Sequence, residues 1–277
     1  MSRFEIHGAR GSSPVSGEAY RRYGGHTSCF SLETEQGLLI VDAGSGIIPL
    51  GEALQRRGQL PPVTLLLTHV HLDHILGLPS FKPLLRKDAE ITICLEPVWA
   101  GAWHGALTTL VSRPLWPVDL LQLGATIRFE RMLTGPFSRY GITVTRCVVS
   151  HPQGGLSYRL AVDDRDVVIA TDREPGDATL DERFQLFAHG AGTLIHDAQY
   201  TPEELPLRRG WGHSSWMQSA EAARAVGAET LLLVSHDPTR SDDDVDRIVE
   251  QARGQFPQTI GGAEGQIVWH ELAGVRA

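Results

Sequence analysis

In the stretch Thr68-His69-Val70-His71-Leu72-Asp73-His74, three imidazoles and a carboxylate fall within six consecutive positions. Neutral imidazole and carboxylate are the groups that hold zinc, at about 2.0–2.2 Å, and a catalytic zinc keeps one position open for water. His69 and His71, two apart in a loop, can project the same way and grip one ion. Asp73, next in the alternation, and its neighbour His74 can reach a second. Each ion then needs ligands from elsewhere, and three single candidates stand just beyond apolar runs downstream: His151, Asp172 and His236. His151 suits the first ion and His236 the second, while Asp172 can give one carboxylate oxygen to each and so bridge them. The inventory predicts two zinc ions, with manganese or iron as alternatives. Placed about 3.5–4 Å apart, such ions share a hydroxide and clamp a phosphoryl or carbonyl oxygen. That is hydrolytic chemistry.

Ligands so far apart in the chain need a scaffold that delivers them to one place, and strand ends do this well. Strand-like runs are expected at 4–9, 28–34 and 38–42, with a Gly/Ser/Arg-rich loop at 10–26. A helix is expected at 47–57, stopped by Gly58 and Pro61-Pro62. The strand 63–67 then carries the histidine cluster, and a further αβ unit ends in the strand 91–95. The segment 96–123, with Trp99, Trp103, Trp116, Pro114 and Pro117, reads as a helical insertion: a lid over the site or an oligomer contact. Strands follow at 126–132, 142–149, 156–162 and 167–170. Three αβ units close the chain, pairing helices 179–188, 215–226 and 242–254 with strands 193–196, 231–235 and 266–271. With no linker, composition break or internal repeat, one domain over 1–277 is the simplest organisation, with sheets covered by helices.

Composition narrows the function classes. The 277-residue chain is 42% hydrophobic, enough for a sizeable core, and its net charge of −8 shows no basic face of the kind a duplex or tRNA binder carries. No run reaches the roughly 18 apolar residues of a membrane span, and the start lacks a basic-then-apolar signal pattern. Three scattered cysteines make neither a disulfide framework nor a zinc knuckle. A cytoplasmic enzyme, with a homodimer left open, is the expectation.

With these motifs in view, the chain resembles the metallo-β-lactamase superfamily. The likeness rests on the 68–74 cluster, Ser150-His151-Pro152, Thr171-Asp172 and Ser235-His236-Asp237-Pro238, and on Leu39-Ile40-Val41-Asp42-Ala43-Gly44, whose aspartate the family places behind the metal site. It implies an αββα four-layer sandwich with the dinuclear site at its edge. Three further stretches resemble the ribonuclease Z-like and cyclic-phosphodiesterase-like branch: Gly8-Ala9-Arg10-Gly11-Ser12, Tyr23-Gly24-Gly25-His26-Thr27-Ser28, and Ile195-His196-Asp197-Ala198 with Gly212-His213-Ser214-Ser215. In that branch the histidine matching His213 acts on the scissile phosphate, and the acid matching Asp197 orients it. The pairing is physically sound, because a carboxylate raises an imidazole's basicity and fixes its tautomer.

Two departures bear on the substrate. The RNA-gripping arm often found between the third-histidine strand and the bridging aspartate has no room here, since the stretch from His151 to Asp172 holds only a tight hairpin. Many relatives have Asn where this chain has His26. The expectation is therefore a dinuclear-zinc phosphodiesterase with Asp73, His213 and Asp197 in catalytic roles, acting on a small phosphodiester or nucleotide-like substrate rather than RNA. The alternatives are a lactone or thioester hydrolase, a 3′-tRNA-processing endonuclease and a non-catalytic ligand sensor on the same scaffold.

Overall fold

The computed structural model describes residues 2–270. The first strands are β1 (Ser2–Gly8), β2 (Cys29–Thr34), β3 (Gly37–Val41), β4 (Val63–Leu66), β5 (Glu90–Leu95) and β6 (Thr126–Arg131). They lie side by side in chain order, β1 to β3 antiparallel and β3 to β6 parallel. Helices α1 (Ile47–Gln55) and α3 (Ala100–Leu110) serve as crossovers, and the four-residue α2 (Leu72–Ile75) follows β4. The parallel strands β3 and β4 are buried along their whole length, which is why they read as continuous apolar runs without alternation.

The second sheet mirrors the first. Its strands are β7 (Phe137–Arg139), β8 (Ile142–Val149), β9 (Gly155–Val162), β10 (Arg165–Ala170), β11 (Thr193–Asp197), β12 (Thr230–Val234) and β13 (Thr259–Gly261), again adjacent in chain order. Helices α4 (Ala178–Ala188), α6 (Trp216–Val226) and α7 (Asp242–Arg253) cover its outer face, and the short α5 (Leu205–Arg208) lies between β11 and α6. A last strand, β14 (Ile267–His270), crosses back and pairs antiparallel with β1.

Two cores result, and the strands of the second sheet divide their side chains between them by parity. Val167, Ile169, Ile195, Leu232 and Val234 face the core shared by the two sheets. Val168, Ala170, Leu194, Leu231 and Leu233 face the helices. Helix α7 shows how the outer layer is fixed. Val245, Ile248, Val249 and Ala252 recur at helical spacing and are buried, while Ser241 and Asp244 form a reciprocal capping box at the N-terminus. Such a cap contributes about 1 kcal/mol. The layers are thus helix, sheet, sheet, helix: the αββα sandwich.

Two details depart from the sequence expectation. The strand expected at 266–271 does join a sheet, with residue 271 outside the described residues, but it completes the first sheet rather than the second. The position beside β12 goes to β13, whose Thr-Ile-Gly is too short to show alternation. The segment 96–123 is helical as expected, with α3 and a 3-10 turn at Leu120–Gln122, but α3 buries Trp103 and Leu107 against the core and packs on β5 as a crossover. Its N-cap residue Trp99 lies against Gly154, where a Cβ would come within 2.2 Å of Trp99 Cζ2.

Candidate metal centre and active site

The cluster 68–74 leaves the end of β4, turns at His71, and enters α2, whose short length places Asp73 and His74 on one inward side. Leu72, just before them, points out and is 63% exposed, while His69, Asp73 and His74 are buried. His151 follows β8, Asp172 follows β10, and His236 follows β12. Asp42 (φ 64), Asp172 (φ 41) and Ser235 (φ 57) all leave their strands through the left-handed region. Each costs of order 1–3 kcal/mol, a strain characteristic of sites where side chains are turned toward a common point.

The convergence is tight. One nitrogen each of His69, His71 and His151 lie within 4.8 Å of one another, as do the ligating atoms of His69, His74 and Asp172. Asp172 Oδ2 is central, at 3.2 Å from His74 Nε2, 3.5 Å from His69 Nε2 and 3.8 Å from His151 Nε2. Its other oxygen lies 4.0 Å from His213 Nδ1. Asp73 Oδ2 sits 3.4 Å from His74 Nε2 and accepts the Ser12 N–H at 2.8 Å.

His236 stands apart from both groups. Its backbone is locked by hydrogen bonds with Ala9 and Gly11, its Nε2 faces the Gly262 carbonyl oxygen at 2.9 Å, and its ring meets Tyr23 edge-on. Nδ1 is the nitrogen left for a ligand. Burial pushes this imidazole down to about 4, so it is neutral.

Partners behind the cluster set the tautomers. Asp42 Oδ2 takes the His74 Nδ1 proton at 2.7 Å, and the same carboxylate accepts from Thr68 N, Thr68 Oγ1 and Ser28 Oγ. His151 Nδ1 donates to the Gly212 carbonyl at 2.9 Å, leaving Nε2 3.0 Å from His71 Nδ1. Burial lowers His69 well below the ordinary imidazole value, and the surrounding imidazoles add to the effect. At His74 burial acts in the same direction but is overcome by Asp172, Asp73 and Asp42, which hold the ring well above its ordinary value.

This donor set fits a divalent metal. His69 Nε2 and His74 Nε2 are fully buried without a hydrogen-bond partner, a costly state for a polar atom. Both face the same carboxylate oxygen at 3.2–3.5 Å. Two ligand atoms each about 2.1 Å from one tetrahedral ion lie about 3.4 Å apart, so each nitrogen stands at the spacing from Asp172 Oδ2 that two ligands of one ion have, and cations bound beside that carboxylate would satisfy both.

Beside the cluster sits His213. Its Nδ1 is 3.0 Å from Asp197 Oδ2, and Asp197 also accepts the backbone N–H groups of Arg173, Gln199 and Ser214. Burial pushes His213 down, but Asp197, Asp172 and Asp73 outweigh it and hold the ring at about 9. His196 is packed instead, its ring against Phe184 and Ser219. His26 contacts Ser45 and lies 3.8 Å from Glu264.

Glu174 is a contributor that the linear motifs do not mark. Its two oxygens accept Gly210 N and Gly212 N, each at 2.7 Å, and so hold the turn that offers the Gly212 carbonyl to His151 and carries His213. Gly212 itself has φ 88, and a Cβ there would meet His151 Nδ1 at 2.2 Å, so only glycine fits. That glycine was the one visible signal.

The sequence profile of the Beta-lactamase superfamily domain matches residues 39–236, from the strand before Asp42 to His236. The chain belongs to the metallo-β-lactamase superfamily. Within the superfamily it is a ribonuclease Z-like member. It is 27% identical to a ribonuclease Z of Bradyrhizobium sp. over 80% of this chain and 86% of that one. Among solved structures, the metallo-β-lactamase fold protein YhfI from Bacillus subtilis superposes with a TM-score of 0.73 at 17% identity, covering 98% of this chain and all of that one. A diphosphatase of the PhnP family superposes with a TM-score of 0.70 at 15% identity, over 98% of this chain and 99% of that one. This superfamily member is a metal-dependent hydrolase, and no helix among its described residues is long and apolar enough to cross a membrane.

Proposed function

We propose that this hydrolase is a phosphodiesterase with two bound metal ions, zinc in the first instance, acting on a small phosphodiester or nucleotide-like substrate. The observation that carries the reading is His213, held by Asp197 and facing the carboxylate at the centre of the ligand cluster. His69, His71, His151 and Asp172 would hold one ion. Asp73, His74, Asp172 and His236 would hold the other, His236 through Nδ1. When bound, such a pair supplies an activated water and neutralises charge on a phosphoryl oxygen.

The rest falls to the chain's own groups. Asp197 accepts the His213 Nδ1–H, so Nε2 carries the proton that can be delivered. As water adds to phosphorus and the ester bond breaks, that proton passes to the departing oxygen, which leaves as an alcohol. Tyr200 packs edge-on against the His213 ring, 5.8 Å between centroids, and limits its swing. The relatives named ribonuclease Z and the diphosphatase neighbour support a phosphorus–oxygen bond as the one cleaved.

A second reading, 3′ processing of tRNA precursors, is favoured by the ribonuclease Z likeness. Against it, β9 and β10 are joined by a two-residue turn at Asp163-Asp164, with no arm between them. One comparison tests both: metal-loaded protein on bis(p-nitrophenyl) phosphate and on a precursor tRNA. The proposal expects turnover of the small ester, falling roughly 10²–10³-fold in His213→Ala with metal content unchanged. Cleavage of the tRNA alone would establish the second reading, and an undiminished His213→Ala would sink the first.

A further inference from the structure

Arg208, at the end of α5, is held in an unusual way. Its guanidinium carbon lies 4.6 Å from the Trp211 ring centroid and 5.8 Å from that of Tyr200. Among the described residues its guanidinium has no hydrogen bond and no carboxylate within ion-pair distance. Its neighbours are treated differently. Arg240 is paired with Glu204, and Arg173 with Asp181. Glu204, the nearest acid before α5 in the chain, is therefore already engaged.

The guanidinium is also tied to the active site. Tyr200, 2% exposed, neighbours both it and His213, and two successive steps of 5.8 Å set an upper bound on the distance from the guanidinium to the His213 ring. On the other side, Trp211 N bonds Arg208 O, Glu174 clamps Gly210 and Gly212, and Gly212 O holds His151. Trp211 remains 55% exposed, so the side chain is wedged by rings yet open to solvent. A cation fixed by stacking and lacking a counter-ion is pre-organised for an anion, and the planar guanidinium fork matches phosphate oxygens two at a time.

We infer that Arg208 is a seat for a second phosphate group of the substrate, so that the preferred phosphodiester carries another phosphate one linkage from the scissile one. This deepens the phosphodiesterase reading by naming the substrate class, and it rests on that reading. The seat reads the extra phosphate without touching the reacting atoms. Its effect belongs in binding rather than in the chemical step.

The test is calorimetric binding of thymidine 3′,5′-bisphosphate and of thymidine 5′-monophosphate to the metal-loaded protein, with bis(p-nitrophenyl) phosphate turnover measured in parallel. The expected result is a preference of about tenfold or more for the bisphosphate, as a charge-assisted contact provides. Arg208→Met should abolish that preference, and Arg208→Lys should keep only part of it. Equal binding of the two nucleotides by the parent protein, or a preference that survives in Arg208→Met, would overturn the inference. A preference that vanishes in Arg208→Met while the parent cleaves no phosphodiester would support the seat and defeat the phosphodiesterase reading, which keeps the two failures apart.

Discussion

Replacing Asp42 by Asn tests the proposed link between a buried carboxylate and metal affinity, because the change keeps shape and alters only what the group can donate and accept. The native carboxylate takes protons from His74 Nδ1 at 2.7 Å, Thr68 N at 2.8 Å, Ser28 Oγ at 2.9 Å and Thr68 Oγ1 at 3.0 Å. An amide oxygen at the Oδ1 position still serves Thr68 N, but the amide NH₂ then faces His74 Nδ1. Either two N–H groups collide, or the His74 proton moves to Nε2, the buried nitrogen aimed at Asp172. A protonated Nε2 cannot bind a cation. Loss of such a supporting group costs about 10–100-fold in metal affinity, equivalent to about 1.4–2.7 kcal/mol. Zinc competition against a chromophoric chelator measures it, with Ser28→Ala as the control that removes one bond to the same oxygen and leaves His74 alone. Asp42→Asn should weaken zinc by that factor, and Ser28→Ala by no more than a few-fold. Equal affinity in Asp42→Asn and the parent would refute the reasoning.

The Glu174 clamp predicts a second phenotype. Glu174→Ala frees the turn that carries Gly212 and His213, and kcat on bis(p-nitrophenyl) phosphate should drop roughly tenfold with KM little changed, since small misplacements cost up to about 10²-fold. Faster hydrogen exchange at the Gly212 amide should accompany it, and unchanged kcat would count against the clamp. Stability should also respond to acid. Burial first, and a nearby arginine second, push His7 down to about 4 and His196 to about 3, from an ordinary 6.5. Below pH 6.5 the unfolded chain therefore takes up two protons that the folded chain refuses until the pH nears those lower values. Their contribution is complete above 6.5 and is lost as the pH falls, by up to about 1.4 kcal/mol per pH unit for each group. Urea midpoints of metal-free protein between pH 4.5 and 7 should show it, and His7→Gln should lower the slope by the share of that one group.

What could be read from the chain and what could not divide along physical lines. The 68–74 cluster is a local string, Asp172 and His236 each follow an apolar run that forms a largely buried strand, and His151 follows the half-buried β8, so their positions just beyond strand ends followed from topology. The direction of the His236 ring did not, because Gly262 and Tyr23 that orient it come from distant loops. Glu174, Tyr200 and Arg208 were invisible for the same reason: their meaning lies in partners brought together by turns. The crossing of β14 to the first sheet was hidden too, since an apolar run records that it is buried and not beside which strand.

That crossing has a consequence for how the molecule is made. Phe4 on β1 pairs with Trp269 on β14, and their rings stack at 5.1 Å. While the polypeptide emerges from the ribosome, one flank of β1 thus stays without its neighbour until Ile267–His270 has been synthesised. A product truncated before Ile267 keeps that flank permanently bare, a row of unsatisfied amides and carbonyls ready to recruit strands from other molecules.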